Sequence, residues 1–164
     1  SANMWRGGWR MGKKISAILV PTDYSDCTGE AISWAVALAA PLSADLLLLH
    51  VIRRETADEL LSIPGMSWEM IVRREEKALL EMFRTWMTEE GEIALLRETL
   101  VTVGEPAEKI VTTAFERQVD LIVIPTYGRK DAPEEDVSVS DRVVRMATCP
   151  VMTIQAACCE DPCF

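Results

Sequence analysis

The sequence predicts an α/β fold, a doubly wound open sheet of five parallel strands with helices on both faces. Short apolar runs rich in β-branched residues recur along the chain, and they lack the polar and apolar alternation of a half-exposed strand. Segments with apolar residues at helical spacing separate these runs, which is the pattern of successive βαβ units. At 164 residues the chain has the length of one domain.

The composition argues against two classes of partner. The formal net charge is −9 and the pI is about 4.7, whereas nucleic-acid phosphates are held by clustered Lys and Arg, so we expect no nucleic-acid partner. No apolar run approaches the roughly 20 residues that span a bilayer, so we expect no membrane insertion. The first residues lack the apolar core of a secretory signal, and we therefore expect a cytoplasmic protein.

Two short segments flank the predicted domain. We assign residues 1–12 to a tag or a disordered N-terminal segment, residues 13–155 to the domain, and residues 156–164 to a Cys-rich tail. A zinc site needs about four ligands, and the only histidine, His50, is far upstream of that tail. We therefore expect a flexible, partly oxidisable tail rather than a metal site. Three of the five cysteines lie in it, namely Cys158, Cys159 and Cys163.

The first strand is predicted at residues 15–20, and a helix follows it closely. Ser25 or Asp26 is expected to accept a hydrogen bond from the free N–H groups at the start of this helix. Apolar residues at helical spacing place the helix at residues 27–40. Pro41 is expected to end it.

The second strand is predicted at residues 46–52, and it completes a βαβ unit with the first strand and helix. Residues 53–65 are mostly polar, which is typical of a surface loop near a binding cleft. Ser67 is expected to cap a long second helix that ends near residues 89–91. Its apolar stripe is predicted to pack on the sheet through Trp68, Ile71, Val72, Leu79, Met82, Phe83 and Trp86.

The third strand is predicted at residues 95–103 and, because charged residues interrupt it, at an edge of the sheet. Pro106 then begins the third helix, where its missing N–H costs nothing. The buried stripe of this helix is predicted to be Ile110, Val111, Ala114 and Phe115.

The fourth strand is predicted at residues 121–124, where Pro125 ends it. A fourth helix at residues 138–147 and a last strand at residues 150–154 complete the fold. Ligands of open α/β sheets bind beyond the carboxyl ends of strands, so residues 125–128 are expected at a binding edge.

Five motifs taken together point to a family. They are ILVPTDYSD, LHV, VGEPAEKIV, DLIVIPTYGR and SDRVVRMATCPVMTI. As a set they resemble the universal stress protein family over residues 13–154. The resemblance implies the strand order 3-2-1-4-5, a fold of the adenine nucleotide alpha-hydrolase type, and a nucleotide cleft between the first and fourth strands. It also implies a homodimer through the last strand, at Val151, Met152, Thr153 and Ile154.

On the adenine side of that cleft, the resemblance assigns base recognition to Pro21, Thr22, Asp23 and Val51. Asp23 is the strongest single candidate because its carboxylate accepts hydrogen bonds from an exocyclic amine or a ribose hydroxyl. An aspartate in this position is equally able to cap the following helix. The sequence leaves both roles open.

On the phosphate side, ATP-binding members of the family carry Gly-x-x-Gly, nine residues, and then Gly followed by Ser or Thr. This chain has Pro125 and Val137 in place of the first and third glycines. Proline offers no N–H to a phosphate, and a β-branched residue disfavours a positive φ. Three consecutive acids at residues 134–136 add charge of the wrong sign. We therefore expect weakened or lost ATP binding at this half of the cleft, whose candidate residues are Pro125, Thr126, Gly128, Arg129, Val137, Ser138 and Val139.

The predicted function is that of a non-enzymatic stress-response protein. We expect it to act as a homodimer that regulates an unidentified protein partner, with no catalytic residue and no required cofactor. Neither the P-loop pattern nor the dinucleotide fingerprint is present. The alternative is a nucleotide sensor or slow ATPase that binds ATP or AMP through Asp23, Val51, Gly128 and Ser138.

Overall fold

The computed structural model describes residues 12–126 and 137–155 of the chain. Their five strands form one sheet in the order β3-β2-β1-β4-β5, and every neighbouring pair is parallel. The predicted fold class and the strand order implied by the resemblance are both confirmed. The strands are β1 (Ala17–Thr22), β2 (Asp45–Ile52), β3 (Leu96–Val103), β4 (Leu121–Thr126) and β5 (Val151–Gln155).

Helices cover both faces of the sheet. They are α1 (Asp26–Leu42), α2 (Arg54–Leu61), α3 (Trp68–Trp86), α4 (Glu90–Ile93), α5 (Pro106–Glu116) and α6 (Val139–Met146). Successive residues of a strand point to opposite faces, so each central strand feeds two separate cores. Ile18 and Val20 of β1 pack in the core that α1 and α3 cover, whereas Leu19 packs in the core under α5 and α6.

Helix α1 is longer than predicted, because Pro41 lies inside its last turn and does not end it. Ser43 ends the helix instead, in the left-handed conformation at φ 52°. The N–H of Ser43 donates to the Ala40 carbonyl at 3.3 Å, and the N–H of Ala44 donates to the Ala39 carbonyl at 3.0 Å. Left-handed residues of this kind satisfy the last carbonyls of a helix, which is a stronger stop than a proline in its final turn.

The segment at residues 53–65 is not the predicted loop, since helix α2 occupies most of it. Only Ala57 of this helix is buried, so its sequence has no apolar stripe from which the helix could be predicted. Ala57 packs with Ile52 and Ile71 in a small third cluster. The short helix α4 was likewise absent from the prediction.

The predicted capping of the long helix is confirmed, because the Ser67 side chain accepts a hydrogen bond from the Met70 N–H at 3.3 Å. Ile71, Leu79 and Phe83 of its stripe are buried as expected, whereas Trp68 and Trp86 at its two ends are 36% and 42% exposed. The stripe predicted for α5 contains one error, since Phe115 is 70% exposed. The buried side of α5 is formed by Ala107, Ile110 and Ala114, and Phe115 lies about 100° around the helix from Ala114, away from that side.

Candidate functional site

The sheet opens between β1 and β4 at the carboxyl ends of these strands. Pairing of β1 with β4 covers two residue pairs, Ile18 with Leu121 and Leu19 with Ile122, although both strands continue for several residues beyond them. By contrast, β1 pairs with β2 over six residues and β4 pairs with β5 over five. In open α/β sheets the place where the strand order reverses is the usual binding crevice. We call this opening the β1–β4 crevice.

Two prolines explain why the ladder stops. The N–H of Ile122 points to β5, where it donates to the Pro150 carbonyl at 3.0 Å. Backbone amides alternate between the two sides of a strand, so position 125 directs its nitrogen toward β1. In the register that pairs Leu19 with Ile122, the next two ladder donors between these strands are the nitrogens of Pro21 and Pro125. Neither carries a hydrogen, and the strands separate.

This geometry also corrects the predicted end of the fourth strand. Strand β4 continues through Pro125 to Thr126, and Pro125 lies opposite Ile154 in the ladder with β5. Because the nitrogen of residue 125 faces β1, the proline removes no bond from the β4–β5 pairing.

The β1 lip of the crevice is a tight hydrogen-bonded turn. The Thr22 hydroxyl accepts a bond from the Tyr24 N–H at 3.0 Å, and Thr22 itself is 1% exposed. Asp23 Oδ1 accepts bonds from the Ser25 N–H at 2.9 Å and from the Thr28 hydroxyl at 3.2 Å. The Asp23 carboxylate therefore fixes the turn that leads into α1.

The predicted capping bond at the start of α1 is not formed. Ser25 occupies the N-cap position, but its side chain makes no capping bond, and its hydroxyl oxygen is buried without a partner among the described residues. Asp23 bonds to the N–H of Ser25 instead. The turn thus takes the place of a side-chain cap.

Tyr24 lies in the turn beside Asp23 and was not among the residues that the sequence singled out. Its φ is 67°, a left-handed value that is rare for an aromatic residue and is typical of strained functional positions. The Tyr24 hydroxyl donates to Glu75 Oε2 of α3 at 2.7 Å, and burial, followed by this bond, raises the pKa of the hydroxyl. The only available signal was the position of a tyrosine directly after Asp23.

His50 packs against Tyr24, with ring centroids 4.6 Å apart. His50 Nδ1 lies 3.0 Å from the Thr22 carbonyl oxygen, and because a carbonyl only accepts, Nδ1 carries the hydrogen of this bond. The ring therefore ties β2 to the end of β1. The neighbouring residue Val51 is half-buried at the end of β2.

The β4 lip of the crevice is a chain of hydroxyl groups. Ser140 donates to the Thr126 hydroxyl at 2.9 Å, and the Ser138 and Ser140 oxygens are 3.0 Å apart. Ser138 is the N-cap of α6, and its hydroxyl accepts from the Asp141 N–H at 3.2 Å and donates to Asp141 Oδ2 at 2.8 Å. These contacts join the end of β4 to the start of α6.

The remaining candidates of the phosphate side are less enclosed. Val137 is 41% exposed and Val139 is half-buried. Arg142, the first basic residue of α6, donates to Glu105 Oε1 at 2.8 Å, so its charge is already paired. The predicted residues Gly128 and Arg129, together with the acids at 134–136 and the tail cysteines, lie outside the described residues.

Strand β5 is the outer strand on the β4 side of the sheet. Its register with β4 directs the amides of Val151 and Thr153 away from the sheet, because Ile122 bonds to Pro150 and alternate residues face β4. Thr153 is exposed and Ile154 is buried. Of the four residues predicted for a dimer edge, Val151 and Thr153 therefore present outward backbone groups, and Met152 and Ile154 face β4.

Within residues 12–126 and 137–155, no cluster of three or more His, Cys, Asp or Glu side chains suits a metal ion. Over the same ranges no helix has the length and apolar character needed to cross a membrane.

Comparison with known proteins assigns the family. A profile of the universal stress protein family matches residues 14–155. This chain belongs to the universal stress protein family. It is 34% identical to the universal stress protein YxiE of Bacillus subtilis, over 86% of this chain and 99% of the relative. It is 31% identical to the universal stress protein MJ0531 of Methanocaldococcus jannaschii, over 92% of this chain and 86% of the relative.

Solved structures of universal stress proteins share the fold. UspA from Lactobacillus plantarum superposes with a TM-score of 0.65 at 24% identity, over 88% of this chain and all of that chain. One universal stress protein was solved in complex with cAMP (TM-score 0.64, 20% identity, 87% and 99% coverage). Another, from Archaeoglobus fulgidus, was solved in complex with dAMP (TM-score 0.57, 21% identity, 87% and 100% coverage).

Proposed function

We propose that this universal stress protein is a non-enzymatic cytoplasmic regulator whose β1–β4 crevice takes adenosine or AMP and holds ATP only weakly. The observation that carries the proposal is the proline pair, Pro21 and Pro125. It keeps the strand ends apart, which makes room for a base and a ribose, and it removes two backbone donors that phosphates would need. The adenine nucleotides bound by two structural neighbours, cAMP and dAMP, support the choice of ligand.

The adenine half of the crevice has the groups that a nucleoside needs. The turn bonds of Asp23 both go to Oδ1, which leaves Oδ2 for an exocyclic amine or a ribose hydroxyl. Val51 is half-buried at the adjoining strand end and offers an apolar surface to the flat face of a base. In this proposal Asp23 serves the turn and the ligand at once.

The phosphate half has few donors among the described residues. Pro125 has no N–H, the Ser138 hydroxyl is engaged with Asp141, and Arg142 is paired with Glu105. A triphosphate carries several charges that must exchange water for hydrogen bonds or pay a desolvation cost. A nucleoside or monophosphate avoids most of this cost, which favours AMP over ATP.

Replacing Asp23 with alanine is expected to weaken binding of adenosine and AMP by about tenfold or more, because a hydrogen bond to a charged group is worth about 1.5 to 3 kcal/mol. Isothermal titration calorimetry measures this loss directly. Asp26→Ala is the matched control, since Asp26 is exposed and lies in the first turn of α1, just after the turn that contains Asp23. Equal affinities in the two variants would contradict a ligand role for Asp23, and urea unfolding of each separates binding from damage to the turn.

The same titrations, together with an assay of phosphate release from ATP, test the alternative function. Stoichiometric ATP binding tighter than AMP, with slow phosphate release, would identify a nucleotide sensor or ATPase that uses Ser138 and the hydroxyl groups beside it. Weak ATP and no phosphate release agree with a regulator that lacks turnover.

We further propose that the protein forms a homodimer through β5. This homodimer regulates a protein partner. Outward N–H and C=O groups on an edge strand invite pairing with a second copy. Thr153→Pro removes one outward N–H without breaking the β4–β5 ladder, so it is expected to convert the dimer into a monomer at micromolar concentration. Thr153→Val keeps the N–H and serves as the control. Light scattering reports the mass, and an unchanged mass for Thr153→Pro would rule out pairing through β5.

A further inference from the structure

A second concave region lies at the amino-terminal edge of the sheet, at the opposite end from the β1–β4 crevice. It is a cavity of about 500 Å³, within the 300 to 1,000 Å³ range of ligand pockets. The segment before β1, the end of α5 with its following turn, and the loop before β5 enclose it. We call it the amino-edge cavity.

The floor of the amino-edge cavity is apolar. Ala114, Val119 and Leu121 are buried side chains that line it. Phe115 lies at its rim and is 70% exposed, which is unusual for a large aromatic ring. Ligand pockets combine such an apolar lining with a few polar groups that set orientation.

The rim of the cavity is positive although the chain is acidic. Lys13 and Lys14 line it, while the whole chain carries a net charge of −9. Neither lysine forms an ion pair with any residue in the described ranges. The one acid in the lining, Asp120, uses Oδ2 to accept bonds from the N–H groups of Ser16 at 2.8 Å and Ala17 at 3.0 Å. Two lysines against this one carboxylate leave the lining with a net charge of +1.

We propose that the amino-edge cavity binds a small organic carboxylate with an aromatic or branched hydrocarbon body. The apolar floor and Phe115 take the hydrocarbon, and Lys13 and Lys14 take the carboxylate. One negative charge matches this rim, whereas a cation would meet two unpaired lysines. The ligand site is separate from the crevice and does not depend on nucleotide binding.

The test uses two fluorescent probes of similar shape on the full chain. 8-Anilinonaphthalene-1-sulfonate is an aromatic monoanion, and N-phenyl-1-naphthylamine lacks its charged group. The double variant Lys13→Gln with Lys14→Gln is compared with Lys77→Glu, which changes the net charge by the same amount on the exposed face of α3. The double variant is expected to weaken the anionic probe by about tenfold and to leave the neutral probe unchanged, whereas Lys77→Glu changes neither.

Cys149 gives a second readout because it lines the same cavity and is partly exposed. Burial raises the pKa of its thiol, so alkylation is carried out at about pH 9, where more thiolate is present. Saturating anionic probe is expected to slow alkylation of the Cys149 peptide several-fold, as followed by mass spectrometry. Unchanged alkylation, or equal loss of the anionic probe in both charge variants, would overturn the proposal.

Discussion

Replacing Phe83 with alanine is expected to lower the free energy of unfolding by about 3 to 5 kcal/mol, the usual cost of removing a large aromatic side chain from a core. Phe83 is 0% exposed and packs under the sheet in the core shared by α1 and α3. The neighbouring side chains fill this space tightly, so the cavity left by the truncation closes only in part. Urea unfolding followed by circular dichroism gives the difference.

The matched control is the same substitution at Phe115. Because its ring is 70% exposed, Phe115→Ala is expected to change the free energy of unfolding by no more than about 0.5 kcal/mol. A large loss at Phe115, comparable with that at Phe83, would mean that the end of α5 is covered in solution and would restore the stripe predicted from the sequence.

Restoring glycine at positions 125 and 137 is expected to raise the affinity for ATP by about 10- to 100-fold. In Pro125→Gly the new N–H points into the β1–β4 crevice, and one hydrogen bond to a charged phosphate contributes about 1.5 to 3 kcal/mol. In Val137→Gly a branched side chain that is 41% exposed is removed just before α6. Calorimetry with ATP and adenosine measures the change, and adenosine affinity is expected to stay the same.

Pro125→Ala separates the two properties of glycine at that position, since alanine restores the N–H without the additional freedom in φ. The restored N–H has one competing acceptor, the Pro21 carbonyl across the crevice. If the variant gains stability while its ATP affinity stays unchanged, the ladder between β1 and β4 has lengthened. That result would contradict the view that a missing donor limits ATP binding.

The strands were the most predictable part of this fold. Buried parallel strands read as continuous apolar runs, and β1, β2 and β4 have that character because helices cover both of their faces. The strand order did not follow from these runs. It was implied only by the family resemblance, because register and neighbours depend on contacts distant in sequence.

Local patterns gave wrong predictions for one helix, for one side chain and for the end of α1. Helix α2 buries a single side chain, Ala57, so it has no apolar periodicity to detect. Phe115 continues the four-residue spacing from Val111, but the buried side of α5 is the one formed by Ala107, Ile110 and Ala114. Pro41 is tolerated because it lies in the last turn of α1, and the stop comes from the φ of Ser43, which the sequence does not reveal.

For the candidate site, the positions of residues could be predicted from the sequence, whereas their contacts could not. The family resemblance singled out Asp23, Val51, Pro125 and Ser138, the sequence pattern placed them at strand ends and helix starts, and they lie there in the structure. The contact of Tyr24 with Glu75 required coordinates, because it joins the end of β1 to a helix about fifty residues away in the chain. The bonds of the Asp23 carboxylate and the left-handed φ of Tyr24 are local, but residue types alone do not choose among the turns that an Asp can form.

The short pairing between β1 and β4 divides the sheet into two plates. One plate contains β3, β2 and β1 and the other contains β4 and β5, and two residue pairs form their backbone seam. Helix α1 spans the seam, because its core includes residues of both plates. Because this core crosses the seam, hydrophobic packing, more than backbone hydrogen bonds, holds the two plates together.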